Sequence, residues 1–176
     1  YDMDQYLLPG LDLLISEIDK KAKSLQGTIK TGRTHLMDAM PIDFSQELSG
    51  WSAQLKSCKT SLSNANQRML QLPQGGTAIG TGVNSHRNFP KTFCHALEKT
   101  SGFKVKPATN FFQGLSSQDS SAELSSALKN LALVLMKICN DLRWMNSGPL
   151  TGLSDIELEA LQPGSSIMPG KVNPVM

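Results

Sequence analysis

The chain has 176 residues, a length that suits one domain with a hydrophobic core. Its 17 basic and 15 acidic residues are interspersed, and no basic block with interleaved aromatic residues occurs, so nucleic acid is not expected as a partner. The longest apolar run, 131–136, is far shorter than the roughly 20 residues that cross a bilayer, so we expect no membrane segment.

The two ends of the sequence suggest a longer protein. The chain begins at Tyr1, without an initiator methionine or the basic flank of a signal peptide, and it stops at Met176, just after a distinctive motif. We therefore expect residues 1–176 to form a single, partial domain, with the motif at 164–174 as its last segment.

The first predicted element is an amphipathic helix. Apolar residues between Leu7 and Leu25 recur at steps of one, three and four, and the pattern ends near Gly27. Pro9 falls in the first turn, where its missing N–H costs little.

A longer helix is predicted next. Asp43 followed by Gln46 indicates an N-cap, and Pro73 with the glycines after it ends the pattern. Steps of four and three define an apolar stripe suited to packing along another helix, which contains Phe44, Leu48, Trp51, Leu55, Cys58, Leu62, Ala65, Met69 and Leu72.

Two further helices complete the predicted fold. A short one contains Phe89, Phe93 and Leu97 and ends before Gly102, and the segment after it is an extended linker. A long one carries the apolar stripe Leu124, Leu128, Leu131, Leu135, Ile138 and Leu142, and its other faces are apolar too. Such a helix is buried on every side, which favours oligomerisation through a shared core, although a monomeric bundle completed by missing chain is the alternative. The predicted class is all-α, a long-helix bundle.

The polar segment 116–121 leaves two interpretations open. It is polar enough to be a loop, and Ser120 followed by Glu123 could equally form a capping box.

The glycine-rich segment 74–84 does not fit a helix or a core. It follows a helix and lacks a GK[ST] ending, so it is not a phosphate-binding P-loop. One interpretation is a tight connection whose glycines let the backbone run close to another part of the protein. The other is an anion site formed by backbone N–H groups and Thr77 or Thr81.

The segment 164–174 also breaks the helical pattern. Lys171 and Asn173 supply a fixed charge and an amide that could hold one carboxylate by charge-assisted hydrogen bonds. A solvated surface loop is the alternative that composition alone allows.

Residues 164–174, Gly-Ser-Ser-Ile-Met-Pro-Gly-Lys-Val-Asn-Pro, resemble the signature loop of the fumarase/aspartase superfamily, whose members release fumarate or a relative from a succinyl-type substrate. Within it, argininosuccinate and adenylosuccinate lyases usually carry a second basic residue where Val172 stands. Aspartases usually have alanine at the position of Gly170 and glutamine at that of His35. The chain therefore resembles class II fumarases most, and segments 74–84 and 147–149 agree.

That resemblance implies a role for five residues. Ser165 resembles the catalytic base, which needs N–H donors and Lys171 to stabilise its alkoxide. Lys171 and Asn173 would bind the substrate carboxylate that becomes an aci-carboxylate. His35 would orient or activate water on the other face, and Thr34 would contact substrate. His86 and His95 lack such a context and are interpreted as structural.

The resemblance also implies the wider setting. It implies the central long-helix domain of a homotetramer that hydrates fumarate reversibly to L-malate in the tricarboxylic acid cycle, with each active site built from three subunits and without metal or organic cofactor.

The three cysteines, Cys58, Cys94 and Cys139, form no CxxC pair and predict reduced, buried thiols. The expected compartment is the cytoplasm, or the mitochondrion if the source is eukaryotic.

Two other functions remain open at this point. One is an aspartase-like ammonia-lyase, and the other is a non-catalytic helical oligomerisation protein. Further site residues of the family lie before Tyr1 and after Met176, so we expect residues 1–176 alone to be inactive.

Overall fold

The computed structural model describes residues 1–168, 171 and 173. A π-helical turn, Met3–Leu7, leads into helix α1, Leu8–Ser24, and a hairpin follows from strands β1, Ile29–Thr34, and β2, Met37–Asp43. The remaining elements are α2, Phe44–Met69; β3, Gln71–Leu72; α3, Phe89–Ser101; β4, Lys106–Pro107; α4, Phe111–Ser116; and α5, Asp119–Met145. Over the described residues the structure is 56% helical with short strands only, which confirms the all-α class.

The start of α2 is capped as its sequence predicts. Asp43 Oδ1 accepts a hydrogen bond from the Ser45 backbone N–H at 2.7 Å, and Gln46 Oε1 accepts one from the Asp43 N–H at 3.0 Å. These bonds satisfy backbone donors that have no partner within the helix. Asp43 also accepts from the Gly27 N–H at 2.5 Å, which joins the cap to the end of the preceding turn.

The apolar stripe of α2 forms much of the core. Its buried members are Phe44, Leu48, Trp51, Leu55, Cys58, Leu62 and Ala65. The helix ends at Met69, before the predicted last position, because Gln71 and Leu72 pair in parallel with Lys106 and Pro107 as β3 and β4.

Two compact units divide the chain. The first comprises Tyr1–Glu17 and Gln54–Leu131, and the second comprises Ile18–Ala53 and Ala132–Met176. Helices α1, α2 and α5 each contribute residues to both units. The first unit holds α3, α4, the β3–β4 pair and the glycine-rich segment, and the second holds the β1–β2 hairpin and the C-terminal segment.

The other helices match their predictions in part. Helix α3 ends at Gly102, which has a φ of 78° and donates its N–H to the Glu98 carbonyl at 2.8 Å. The short helix α4 was not predicted, although Asn110 caps it by accepting from the Gln113 N–H at 3.1 Å. Because α5 begins at Asp119, Ser120 lies inside the helix and does not cap it.

One chain buries only part of α5. Leu131 and Ile138 are buried, but Leu128, Leu133 and Met136 are 39%, 49% and 56% exposed. The expected burial on every side is therefore not achieved within one chain.

The three cysteines are free thiols, as predicted. Cys58 and Cys94 are buried and Cys139 is half-buried. Burial raises the pKa of the Cys58 and Cys94 thiols, because the thiolate would lose its solvation. Among the described residues, no helix is long and apolar enough to cross a membrane.

Candidate active site

Thr34 and His35 lie at the tip of the β1–β2 hairpin. Thr34 pairs with Met37, so His35 and Leu36 alone make the turn, with φ values of 51° and 63°. Positive φ at both central residues suits the twist of a two-residue hairpin; histidine adopts it more readily than most residues, whereas leucine rarely does. No strand was predicted here from the sequence, so the hairpin is an addition to the predicted fold.

A bulge in the hairpin requires a glycine. The register shifts between the Thr31–Pro41 pair and the Arg33–Asp38 pair, and Gly32 is buried between them. A Cβ at Gly32 would lie 2.6 Å from the Met40 carbonyl oxygen, closer than a side chain tolerates. Glycine therefore allows the two strands to approach at this point.

A cluster of charges holds strand β1. Lys30 Nζ lies 2.6 Å from Glu47 Oε2 in the first turn of α2 and 3.2 Å from Asp155 Oδ2 in the segment after α5. Arg33 Nη1 donates to the same Asp155 oxygen at 2.8 Å. We call Lys30, Arg33, Glu47 and Asp155 the hairpin cluster. It joins the strand that ends in Thr34 to two other segments of the second unit.

The hairpin cluster favours the charged forms of Asp155 and Arg33. Burial acts to raise the pKa of Asp155, but hydrogen bonds from Arg33 and Lys30 outweigh it, so this pKa lies below its usual value. The hydrogen bond to Asp155 raises the pKa of Arg33 despite desolvation. Two cations and two carboxylates thus neutralise each other at neutral pH.

His35 lines a cavity of about 570 Å³ beside the hairpin. Other lining residues come from β1, α2 and α5, namely Arg33, Gln46, Glu47, Asp141, Trp144 and Met145. The His35 side chain is exposed, and so is that of Thr34. Both can therefore reach a ligand from outside the chain.

The described residues of the C-terminal motif lie close together. Ser165 and Met168 form a β-bridge, and Ser165 Oγ accepts a hydrogen bond from the Ile167 N–H at 3.3 Å. A Cβ at Gly164 would clash with the Lys171 carbonyl oxygen, so this close approach requires a glycine. Pro169, Gly170, Val172 and Pro174 of this motif lie outside the described residues.

Lys171 and Asn173 lie in the same loop as Ser165. The Lys171 N–H donates to the Met168 carbonyl at 3.0 Å, and the Asn173 amide donates to the Pro163 carbonyl at 3.4 Å. Lys171 is exposed and lines a cavity of about 360 Å³ with Asn146, Ser154 and Glu157 among its other walls. An exposed ammonium beside a cavity can attract a carboxylate.

The five candidate residues thus form two groups. Thr34 and His35 are neighbours on the hairpin, while Ser165, Lys171 and Asn173 share the C-terminal loop. His35 and Lys171 line different cavities.

The glycine-rich segment 74–84 belongs to the first unit. A Cβ at Gly76 would lie 2.7 Å from Leu115 Cδ1, and one at Gly80 would lie 2.9 Å from the Phe112 backbone nitrogen. Its glycines therefore let the backbone approach α4 closely, which confirms the first interpretation of this segment. An anion site there stays a prediction.

Sequence reasoning missed the hairpin cluster. Lys30 and Glu47 lie near the predicted motifs, but Asp155 is distant from them in the chain, and each charge alone resembles a solvated surface residue. The available signal was the β-branched residues Ile29, Thr31 and Thr34, which favour a strand. In the part of the chain that the structure describes, no three His, Cys, Asp or Glu residues are grouped as metal ligands.

Comparison with known proteins agrees with the motif. A family model described as a lyase matches residues 2–176. A class II fumarate hydratase of Xylella fastidiosa is 54% identical over 97% of this chain and 36% of its own length. A second class II fumarate hydratase, from Pseudomonas aeruginosa, is 51% identical over 99% of this chain and 38% of its own.

A solved structure gives the same result for the fold. The crystal structure of a class II fumarase from Schistosoma mansoni superposes with a TM-score of 0.92 at 37% identity, and the match covers 98% of this chain and 39% of that one. The chain spans less than two fifths of the length of each of these relatives.

Proposed function

This chain belongs to the lyase family, and on that premise we propose that the complete protein carrying it is a fumarate hydratase. It would hydrate fumarate reversibly to L-malate through an aci-carboxylate intermediate. The observation that carries the proposal is the Thr34-His35 turn, held on an anchored hairpin beside a cavity. Aspartases usually have glutamine in place of this histidine, so His35 favours water over ammonia as the group exchanged.

In the proposed dehydration, a base removes a proton from the carbon beside one malate carboxylate. Negative charge then accumulates on that carboxylate, and the barrier falls most if donors are already directed at it. We assign this task to Lys171, which supplies a full charge, and to Asn173, which supplies an amide N–H.

Ser165 is the proposed base. A serine is a poor base at its ordinary pKa and needs donors that stabilise its alkoxide. The Ile167 N–H already donates to Ser165 Oγ, and Lys171 belongs to the same loop. Closure of the loop over substrate would bring these groups to the reacting carbon.

His35 is the proposed group on the opposite face of the substrate. A histidine changes charge near neutral pH, so it can give a proton to the departing hydroxide and take one from water in the reverse direction. Thr34, next to it on the exposed tip, would contact a substrate carboxylate. The proposed reaction uses groups of the protein and assigns no role to a metal ion or an organic cofactor.

Self-association is part of the proposal. The exposed apolar residues of α5 supply a surface for other copies, and His35 and Lys171 line separate cavities within one chain. Both features support a homotetramer in which different subunits complete each site. Residues 1–176 would then be part of one helical domain and would be inactive alone, and the complete enzyme would serve the tricarboxylic acid cycle in the cytoplasm, or in the mitochondrion of a eukaryote.

The test uses the complete protein and follows fumarate by its ultraviolet absorbance. We expect fumarate to form from L-malate and not from L-aspartate. Fumarate from aspartate alone would assign the protein to the ammonia-lyases, and no product from either would favour a structural protein without catalysis.

A further inference from the structure

We propose that Lys30 is a positioning residue for His35, because it fixes the strand that ends in the Thr34-His35 turn. The inference rests on the function proposed above, and it adds a residue to which the family resemblance gives no role. Lys30 lies on β1 and never reaches the tip of the hairpin, so it would act through His35 and not on the substrate.

The side chain of Lys30 is buried, and each N–H bond of its ammonium group has a neighbouring acceptor. Its side chain is only 6% exposed. The three N–H bonds have three neighbours, namely Glu47 Oε2 at 2.6 Å, Asp155 Oδ2 at 3.2 Å and Met145 Sδ at 3.3 Å. The ring of Phe44 lies 4.8 Å away and adds a cation–π contact.

Packing alone does not explain a lysine at this position. A methionine has a similar length and would fill the space beside Phe44 and Met145 without the cost of burying a charge. A methionine could not, however, hold the carboxylates of Glu47 and Asp155. Lys30 is the only member of the hairpin cluster that contacts both Glu47 and Asp155. It therefore connects β1 to the start of α2 and to the segment after α5.

The position of His35 depends on this attachment. Asp155 Oδ2 accepts from Lys30 and from Arg33, so β1 is held at two points, and beyond Arg33 only Thr34 precedes the turn. The turn itself has positive φ at His35 and Leu36. Backbone of this kind persists only where the surrounding structure holds it. Loosening β1 should therefore let the imidazole move, and a shift of about 1 Å can cost about 100-fold in rate.

The first test is Lys30→Met in the complete protein. We expect kcat for malate dehydration to fall about 10- to 100-fold while KM changes little and the assembly stays intact. Lys30→Arg keeps the charge and the donors, so it should recover most of the lost rate. The matched control is Lys59→Met, which removes a half-buried lysine paired with Asp12 and should leave kcat unchanged.

A double-mutant cycle separates positioning from a general structural role. If Lys30 acts through His35, adding Lys30→Met to His35→Asn should lower kcat little further. Additive losses in the double variant, or an unchanged kcat in Lys30→Met alone, would overturn the inference. If Lys30→Met does not assemble, the same cycle is measured with Lys30→Met and Glu47→Gln combined, which removes both charges. A wild-type protein without malate turnover would instead refute the proposed function itself.

Discussion

Asp155 accepts hydrogen bonds from two cations on one strand, Lys30 and Arg33, through a single carboxylate oxygen. Its side chain is 11% exposed, so solvent screens these interactions only weakly. Removing one partner from such a group leaves buried charge without compensation, which costs more than the pair contributes when intact.

We therefore expect Asp155→Asn to lower the free energy of unfolding by about 2 kcal/mol at pH 7, measured by urea denaturation of the complete protein. The pKa of Asp155 is lower in the folded state, so its contribution is fully present above the unfolded value of about 3.9 and is lost as pH falls through the folded pKa. The difference between wild type and variant should thus stay constant from about pH 7 to 5 and shrink below about pH 4.

Asp38 provides the matched control for this experiment. It also faces Arg33, at 3.5 Å, but its side chain is 81% exposed. Asp38→Asn should change the free energy of unfolding by less than about 0.5 kcal/mol. Equal losses in both variants would mean that burial of Asp155 does not strengthen its bonds.

The five candidate residues could be named from sequence because they belong to short motifs with recognisable neighbours. Their positions relative to one another could not be predicted from the sequence. The hairpin cluster joins β1, α2 and the segment after α5, and no local pattern indicates which of many charges meet across such separations. The same holds for the two cavities, whose walls come from several elements.

At the scale of elements, long periodic segments were predictable and short ones were not. Helices α1, α2, α3 and α5 match their predicted regions because apolar residues recur with the helical period over many turns. The hairpin was missed because His35 and Leu36 are not the Asn-Gly or Asp-Gly pair that usually indicates a two-residue turn. Helix α4, Phe111–Ser116, is too short to show a period.

The bulge at Gly32 gives the prediction for this scale. Gly32→Ala places a Cβ against the Met40 carbonyl oxygen, and backbone cannot rotate away as a side chain would. We expect a loss of about 1 to 3 kcal/mol in the free energy of unfolding, together with a lower kcat because the hairpin carries His35.

Gly50→Ala is the control for Gly32→Ala. Gly50 lies in α2 with nothing within 4 Å of an added Cβ, and alanine favours a helix over glycine. This variant should be as stable as wild type or up to about 1 kcal/mol more stable. If Gly32→Ala left the free energy of unfolding unchanged, the strands would be able to separate at the bulge without cost.

At the scale of the whole molecule, the main feature that indicates a partner is the set of apolar side chains on α5 that stay exposed in one chain. Leu128, Leu133 and Met136 are too exposed for a helix that is apolar on nearly every side. The family resemblance was needed to infer a tetramer, since an apolar face alone indicates a partner without identifying it.

Leu133→Glu should therefore weaken self-association of the complete protein, because a buried interface excludes an unpaired charge. Light scattering after size-exclusion chromatography would show smaller species than the wild type. Lys99→Glu introduces the same side chain at an exposed polar position of another helix, α3, and should leave the assembly unchanged. A Leu133→Glu protein of wild-type size would exclude this face from the interface.

His35 is the residue on which the proposed reaction depends most directly. The decisive measurement is the steady-state rate of fumarate formation from L-malate by the complete protein, wild type against His35→Asn, with the assembled size checked in both. We expect wild-type turnover and a kcat lower by about 100- to 10,000-fold in the variant, at unchanged size. Equal rates in the two proteins would contradict the role of His35 and the site built around it.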